Sequence, residues 1–391
     1  MRQFNSKTQR VALLIDTSMS WGVRLIRGIH EFAQQEANWL FQIEPYGRHQ
    51  RLQLPEGWVG DGVIARVNHP SLAEEIRASG IPTVNVSWYD HPGPRIARCT
   101  ISESETGQIA AEYFQTLGFT RFGYCGPLDR PDYHDGLAAG FRDALAGHPH
   151  EFFAYRPKTR ESSKIPWNQQ LAGLVEWLTE LPKPIAVLCW CAARGRQVTE
   201  ACHYAGIRVP DEIAVLGGEY DELMEDISDP PLSTIEQPAE RVGYEAARLL
   251  AKLMDGQPPP SEPILVSPTR VNIRHSTDIL AVDDPLVRSA VAYIKQHATE
   301  GIRVGDLVGE LLVARRSLEQ RFMHAIHRTP AEEIRRVRIE AAKKLLSETN
   351  LKIARIAEKC GFGHQDRFSR MFRRAVGQTP SGYRRQSQAG N

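Results

Sequence analysis

"IAEKCGFGHQDRFSRMFRRAVGQTP", residues Ile356 to Pro380, sets Lys359, His364, Arg367, Arg370, Arg373 and Arg374 among phenylalanines and glycines. With the preceding "LKIAR" it places Ile353, Ile356, Ala357 and Cys360 on one helical face and then reaches Gly361. A glycine there can take the left-handed backbone that closes a helix, with Phe362 as the apolar anchor just beyond. Phe368, Met371, Phe372 and Val376 recur at i, i+3, i+4 and i+8, the inner stripe of a second helix. Arg367, Arg370 and Arg374 share its outer face, with Gln365 at its start and Arg373 at its edge. Two short helices about a tight turn, the second with a basic outer face, make a helix–turn–helix pattern suited to phosphates and base edges.

An earlier copy lies upstream. "VGDLVGELLVARRSLEQRFMHAI" (304–326) reads as a short helix, a turn near Leu312 and Val313, and a helix with Leu318 and Phe322 inward. Arg316, Ser317, Gln320 and His324 face outward. Between the copies, "TPAEEIRRVRIEAAKKLL" begins with Thr329 as N-cap, Pro330 at the first helical position and Glu332 completing a capping box. Its 18 residues span roughly 27 Å at the helical rise, comparable with the ~34 Å between successive major-groove faces. Two reading heads on one rod can therefore engage adjacent grooves.

Charge divides the 391-residue chain at the same place. The whole carries only +1, yet residues 286–391 hold 21 Lys+Arg against 10 Asp+Glu, a balance of +11 that leaves −10 on the rest. A basic unit on an acidic body points to a polyanionic partner for the tail alone. The length itself calls for more than one core.

The acidic body alternates apolar runs with helical patterns. "VALLID", "DGVIARV", "IPTVNVSW", "TRFGYCG", "HEFFAY", "PIAVLCW" and "EIAVLGG" are strand-like, and helices such as "SWGVRLIRGIHEFAQQ" and "RVGYEAARLLAKLM" stand between and after them. In the first helix Val23, Ile26, Ile29 and Phe32 or Ala33 carry the apolar stripe. Repeated strand–helix–strand units require parallel sheets, since each helix returns the chain across a face. About ten strands exceed one simple unit, which implies two open sheets side by side. The expected architecture is an α/β two-lobed body over residues 1–278, a linker "ILAVDDP" at 279–285, and an all-α unit with two helix–turn–helix motifs over 286–391.

Several classes are disfavoured. There is no G-x-S-x-G, Walker loop, H-E-x-x-H or G-x-G-x-x-G after the first strand, so the chain is not expected to be an enzyme and no cofactor is expected. Cys99, Cys125, Cys189, Cys191, Cys202 and Cys360 lack framework or zinc spacing and read as reduced core thiols. "MRQFNSKTQR" has no apolar signal core, and nowhere do 18 apolar residues run together. The expectation is a soluble, cytoplasmic protein without a membrane partner, not a secreted transport binding protein.

The tail from about Pro285 to Arg385 resembles the arabinose-regulator (AraC/XylS-type) transcription factors, with "IAEKCGFGHQDRFSRMFRRAVGQTPSGYRR" close to that family's signature. The resemblance implies recognition helices starting near Arg315 and His364. The residues expected on operator DNA are thus Arg315, Arg316, Ser317, Gln320 and Arg321 in the first, and His364, Gln365, Arg367, Arg370 and Arg374 in the second. The first turn reads "ELLVARR", without a glycine, where small residues such as glycine are common.

Residues 10–275 resemble the effector domain of the lactose-repressor family, most plainly in "RVPDEIAVLGGEYDELMEDISDPPLSTIEQPAERVGYEAARLLAKLMDG" (208–256). This implies two Rossmann-like lobes around a ligand cleft, with the chain crossing near Phe119, near Gln237 and again at Thr269 to Arg274. The fusion of the two types resembles the bacterial xylose-operon-activator group. It implies a sugar-like small-molecule effector, a double-stranded operator, a homodimer, and activation through RNA polymerase.

Ligands of such a cleft sit outside the carboxyl ends of parallel strands. The candidates are Asp16, Ser18, Trp21 and Arg24 after the first strand, Arg66 and Asn68 after "DGVIA", Trp190 and Arg194 after "PIAVL", and Glu219 and Asp221 after "EIAVLGG". These supply carboxylates, amide and guanidinium for hydroxyls and flat aromatics for a ring face. Cys191-Ala192 and Glu219-Tyr220 stand where lactose-repressor relatives often carry Asn-Asp and Asp. That exchange removes hydroxyl partners and adds bulk, leaving open a sugar other than xylose, an acidic or aminated ligand, or a weakened site.

Overall fold

The computed structural model describes residues 8–43, 52–89, 91, 93–127, 133–147, 149–157, 167–279, 284–326, 328–349 and 351–389. Among them, twelve strands, numbered along the chain, form two six-stranded sheets. The first joins β1 (Gln9–Leu14), β2 (Trp39–Ile43), β3 (Gly62–Ala65), β4 (Thr83–Asn85), β5 (Ala97–Ile101) and β11 (Ile264–Val266) in the order β11-β5-β4-β3-β1-β2. The second joins β6 (Arg121–Cys125), β7 (Glu151–Tyr155), β8 (Ile185–Cys189), β9 (Ile213–Gly217), β10 (Ser233–Glu236) and β12 (Arg270–Asn272) as β12-β10-β9-β8-β6-β7. All pairs are parallel except β10 with β12. Strands β3, β8 and β9 are buried at every residue, which explains their unbroken apolar runs: helices cover both faces. Twelve strands exceed the expected ten or so, and β2, β5, β10, β11 and β12 fall outside the seven strand-like runs named from the sequence.

Helix α1 (Ser20–Glu36) lies on α8 (Ala239–Met254). Leu25, Ile29 and Phe32 share a core with Val242, Ala246 and Leu250. The stripe is shifted from the expected one: Val23 is exposed, and Trp21, Gly22, Leu25, Gly28, Ile29, Phe32 and Ala33 are buried. Close approach sets this phase. A Cβ on Gly28 would stand 1.8 Å from the Glu240 carbonyl oxygen, and one on Gly243 would stand 2.0 Å from that of Leu25.

The chain crosses between lobes three times. The first crossing lies at Ser102, not near Phe119, because α3 (Glu103–Thr116) packs on α4 (Gly136–Leu145) of the second lobe. Phe114 meets Phe141 there, with ring centroids 6.2 Å apart. The second falls at Gln237, between β10 and α8, and the third between β11 and β12. Within the second lobe, Glu225 of α7 (Glu222–Ile227) is fully buried and accepts hydrogen bonds from Asn272 (2.8 Å), Arg274 (3.3 Å) and Thr234. The six cysteines are buried. Burial pushes the thiols of Cys99 and Cys202 up to about 12 and that of Cys360 to about 11.

The contacts divide the chain into Met1–Ile279 and Leu280–Asn391. Of the expected linker, residues 280–283 lie outside the described residues. Asp284 already caps α9 (Pro285–His297), accepting from the amides of Leu286 and Val287.

The second unit is helical: α9, α10 (Val304–Glu310), α11 (Arg315–Ile326), α12 (Pro330–Glu348), α13 (Ile353–Lys359), α14 (Gln365–Val376) and α15 (Pro380–Ala389). The rod α12 starts as the sequence implies. Thr329 accepts from the Glu332 amide, and the Glu332 carboxylate accepts from the Thr329 amide at 2.8 Å. Glu333, fully buried, is held between Arg328 and Arg336 at 3.0 and 2.7 Å. Arg338 donates to the carbonyls of Ala298 and Ile302, each at 2.7 Å, fixing the rod to the turn after α9.

Candidate functional site

Loops from the carboxyl ends of both sheets converge on a pocket of about 410 Å³, lined on one side by Ser18, Met19 and Ser20 and on the other by Ala192, Glu219 and Asp221. Asp16 receives the amide and hydroxyl of Ser18 at 2.9 and 2.6 Å, an arrangement that turns the chain into α1. Ser20, at the start of α1, donates to Asp221 at 3.2 Å across the lobes. Asp221 also caps α7 through the Met224 amide, and Glu219 is 3 % exposed. Three of the sequence candidates, Ser18, Glu219 and Asp221, therefore share one lining.

Beside the pocket lies an aromatic cluster. Arg66, just past β3, places its guanidinium 5.2 Å from the centre of the Trp21 ring and 5.4 Å from that of Trp88. Trp88 meets Trp190 of the second lobe edge-on at 5.8 Å. The indole N–H of Trp190 donates to Tyr133 Oη at 2.9 Å, and Tyr133 donates to Glu103 at 2.5 Å. Tyr89 packs on Tyr133 at 5.4 Å and stacks on His91. Behind them Asp135 accepts from Tyr124 (2.8 Å) and Arg156 (3.0 Å). Such flat faces suit the C–H faces of a sugar ring, and the carboxylates beside them suit its hydroxyls.

Two candidates are committed elsewhere. Arg24 makes a bidentate pair with Glu240 of α8 at 2.8 and 2.9 Å, donates to the Gln237 carbonyl and lies over Tyr220. It braces the second crossing instead of lining the pocket. Arg194 bonds Gln197 one turn along α6 (Ala192–Tyr204) at 2.7 Å and is absent from the lining. Asn68 is half-buried beyond β3. Sequence reasoning missed Trp88, Tyr89, Tyr133 and Glu103. The carboxyl-end rule pointed to all four, since they follow β4, β6 and β5, but it was applied to four other strands.

Desolvation pushes the Glu103 carboxyl up to about 8, helped by Asp135 and opposed by its bond from Tyr133. Between the ordinary glutamate pKa and about 8 the unfolded chain has released this proton and the folded chain retains it. Stability from this group therefore falls as pH rises through that window, by ~1.4 kcal/mol per unit separating the two values. Glu103→Gln is expected to raise the melting temperature of the full chain at pH 8 and to flatten its decline from pH 5 to 8. Identical slopes for the two proteins in scanning calorimetry would refute the assignment.

In the helical unit the second motif is built as the sequence reads. Phe368 and Phe372 are fully buried, Met371 and Val376 are half-buried, and Gln365, Arg367, Arg370, Arg373 and Arg374 are exposed on the other face. His364 is the exposed N-cap of α14. Gly361 has φ 71°, and a Cβ there would lie 2.8 Å from the Ala298 and Thr299 carbonyl oxygens. In the first motif, Arg315, Arg316, Gln320, Arg321 and His324 are exposed on α11 and Ser317 is half-buried. Arg315 pairs with Glu319 and Arg321 with Asp284, both at 2.9 Å, so Arg321, still about half exposed, also secures the cap of α9. The turn places Leu312 at φ 50° with its side chain 93 % exposed, a left-handed backbone that costs a leucine roughly 1–2 kcal/mol. No helix among the described residues is long and apolar enough to cross a membrane.

Comparison with known proteins finds a periplasmic binding protein-like domain over residues 111–277 and a helix-turn-helix domain over 307–386. The xylose operon regulatory proteins of Haemophilus influenzae and Escherichia coli K12 are each 29% identical over 385 residues. These matches cover 96% and 97% of this chain and 98% and 97% of the relatives. The solved structure of a xylose-binding transcription activator aligns with a TM-score of 0.67 at 28% identity, over 97% of this chain and 99% of that one.

Proposed function

We propose, from the premise that this chain is a xylose-operon-regulator-like transcription regulator with a periplasmic-binding-type sensor ahead of an AraC-type helix–turn–helix unit, that a sugar-like effector in the interlobe pocket controls how the basic unit engages operator DNA. One observation carries the reading. A pocket walled by carboxylates and bordered by indoles, at the carboxyl ends of two parallel sheets, occurs in the same chain as two helices with basic, exposed faces. In the sensor, Glu219 and Asp221 accept from effector hydroxyls and Trp190 flanks the ring. In the DNA unit, α14 reads bases through Gln365 and Arg367 and holds phosphates through Arg370 and Arg374, while α11 contributes Arg316 and Gln320. On this reading the regulator acts in the cytoplasm as a homodimer that recruits RNA polymerase, and the similarity to a xylose-binding transcription activator supports an activating role.

Titration of the full chain with fluorescent duplex DNA tests the interface. Affinity is expected to fall steeply with salt as phosphate contacts release counterions. Arg370→Ala should reduce the log–log salt slope by about 1. Salt-independent binding, or an unchanged slope for both Arg370→Ala and Arg374→Ala, would overturn the phosphate assignment.

A further inference from the structure

The guanidinium of Arg66 is half-buried and has no carboxylate partner among the described residues. It sits between the Trp21 and Trp88 rings, and among the described residues no Asp or Glu lies within ion-pair distance of it. Its recorded hydrogen-bond contact is the Met19 sulfur at 4.0 Å, a weak acceptor. The two flanking indoles share the deficit. Trp21 is 4 % exposed, and the indole N–H groups of Trp21 and Trp88 are both buried with no acceptor among the described residues. Two buried indole N–H groups and a half-buried guanidinium thus cluster where, among the described residues, the guanidinium's hydrogen-bond partner is a thioether.

Buried donors left unmatched cost stability unless something accepts from them. A planar guanidinium fork flanked by aromatic faces matches a carboxylate two bonds to two. The cluster borders the pocket directly, since Met19, which touches Arg66, is itself part of the lining. The opposite wall carries Glu219 and Asp221, acceptors that pair with hydroxyls and repel a doubly charged phosphate. A ligand satisfying both walls is acidic at one end and hydroxylated at the other.

We propose that the effector is a sugar acid whose carboxylate seats on Arg66 between Trp21 and Trp88 while its hydroxyls meet Glu219 and Asp221. This rests on the sensor reading above and narrows its ligand class to aldonates and uronates.

Thermal shift and calorimetry on the full chain with D-xylose, D-glucose, D-xylonate, D-gluconate, D-glucuronate, D-galacturonate and D-glucose 6-phosphate test it. At least one sugar acid is expected to raise the melting temperature, where the neutral sugar of the same skeleton does not. Arg66→Gln, which removes the charge, should weaken the acid roughly 10- to 150-fold, the loss of a charge-assisted hydrogen bond. Arg66→Lys, which keeps the charge without the fork, should fall between. Wild type alone already decides the central point if a variant fails to fold. A neutral sugar binding as tightly as its acid, or equally to wild type and Arg66→Gln, overturns the sugar-acid assignment and leaves the sensor reading standing. A response to the phosphate alone overturns the carboxylate seat. No response to any of the seven compounds overturns both readings.

Discussion

Phe368→Ala is expected to lower the melting transition of the helical unit by on the order of 10–20 °C, while its neighbour Arg367→Ala leaves that transition in place and loses DNA affinity. Phe368 is fully buried, 5.0 Å from the Phe362 ring and 5.4 Å from that of Phe372, in the core that joins α12, α13 and α14. Truncating such a ring costs roughly 3–5 kcal/mol, which for a unit of about this size corresponds to the stated shift. Arg367 points outward. Its side chain is exposed and fills no core, so its removal is expected to cost the fold little. Loss of a base contact at that position is worth roughly 1–3 kcal/mol in binding. Scanning calorimetry of the full chain, paired with DNA titration, separates the two. Equal transitions for both variants would show that the helix is rotated from the orientation described.

Gly28→Ala and Gly243→Ala are expected to destabilise the sensor by about 3 kcal/mol each, at the upper end for overpacking. The obstacle in both cases is backbone: the Glu240 carbonyl at 1.8 Å for the first and the Leu25 carbonyl at 2.0 Å for the second. No side-chain rotation relieves either contact, so α1 and α8 must separate. Ser20, part of the pocket lining, stands at the start of α1, and Arg24 on the same helix is clasped by Glu240 of α8. Separation therefore also disturbs the pocket wall, and effector affinity should fall with stability. Unchanged melting temperatures for both variants would mean that the helices do not meet as closely as described.

Much of this architecture was legible because it follows from short-range periodicity. The spacing of Phe368, Met371, Phe372 and Val376, and the capping box of Thr329 and Glu332, depend on residues a turn or two apart. The parallel sheets announce themselves through fully apolar strands such as "IAVLC" and "IAVLG". Long-range contacts were not legible. Val23 looks as apolar as Leu25, and the close seat of Gly28 on Glu240, more than two hundred residues away, decides which faces inward. The crossing at Ser102 depends on α3 choosing α4, and nothing local to α3 encodes that choice. Arg24 reads as a ligand residue until Glu240 is placed beside it. The aromatic cluster was partly visible, since Trp88 closes "IPTVNVSW", but its meeting with Trp190 requires two lobes to be brought together.

The burial of all six cysteines makes the native chain nearly silent toward maleimides, since none of the sulfurs is within a reagent's reach and burial holds those of Cys99, Cys202 and Cys360 in the unreactive thiol form. Cysteines introduced at Glu74 on α2 (Pro70–Ser79) and Glu176 on α5 (Trp167–Glu180), both exposed and in different lobes, would then carry a donor and an acceptor dye without first stripping the native ones. Any opening or closing of the sensor on effector binding would then be read as a change of colour in a single molecule, on an unaltered core.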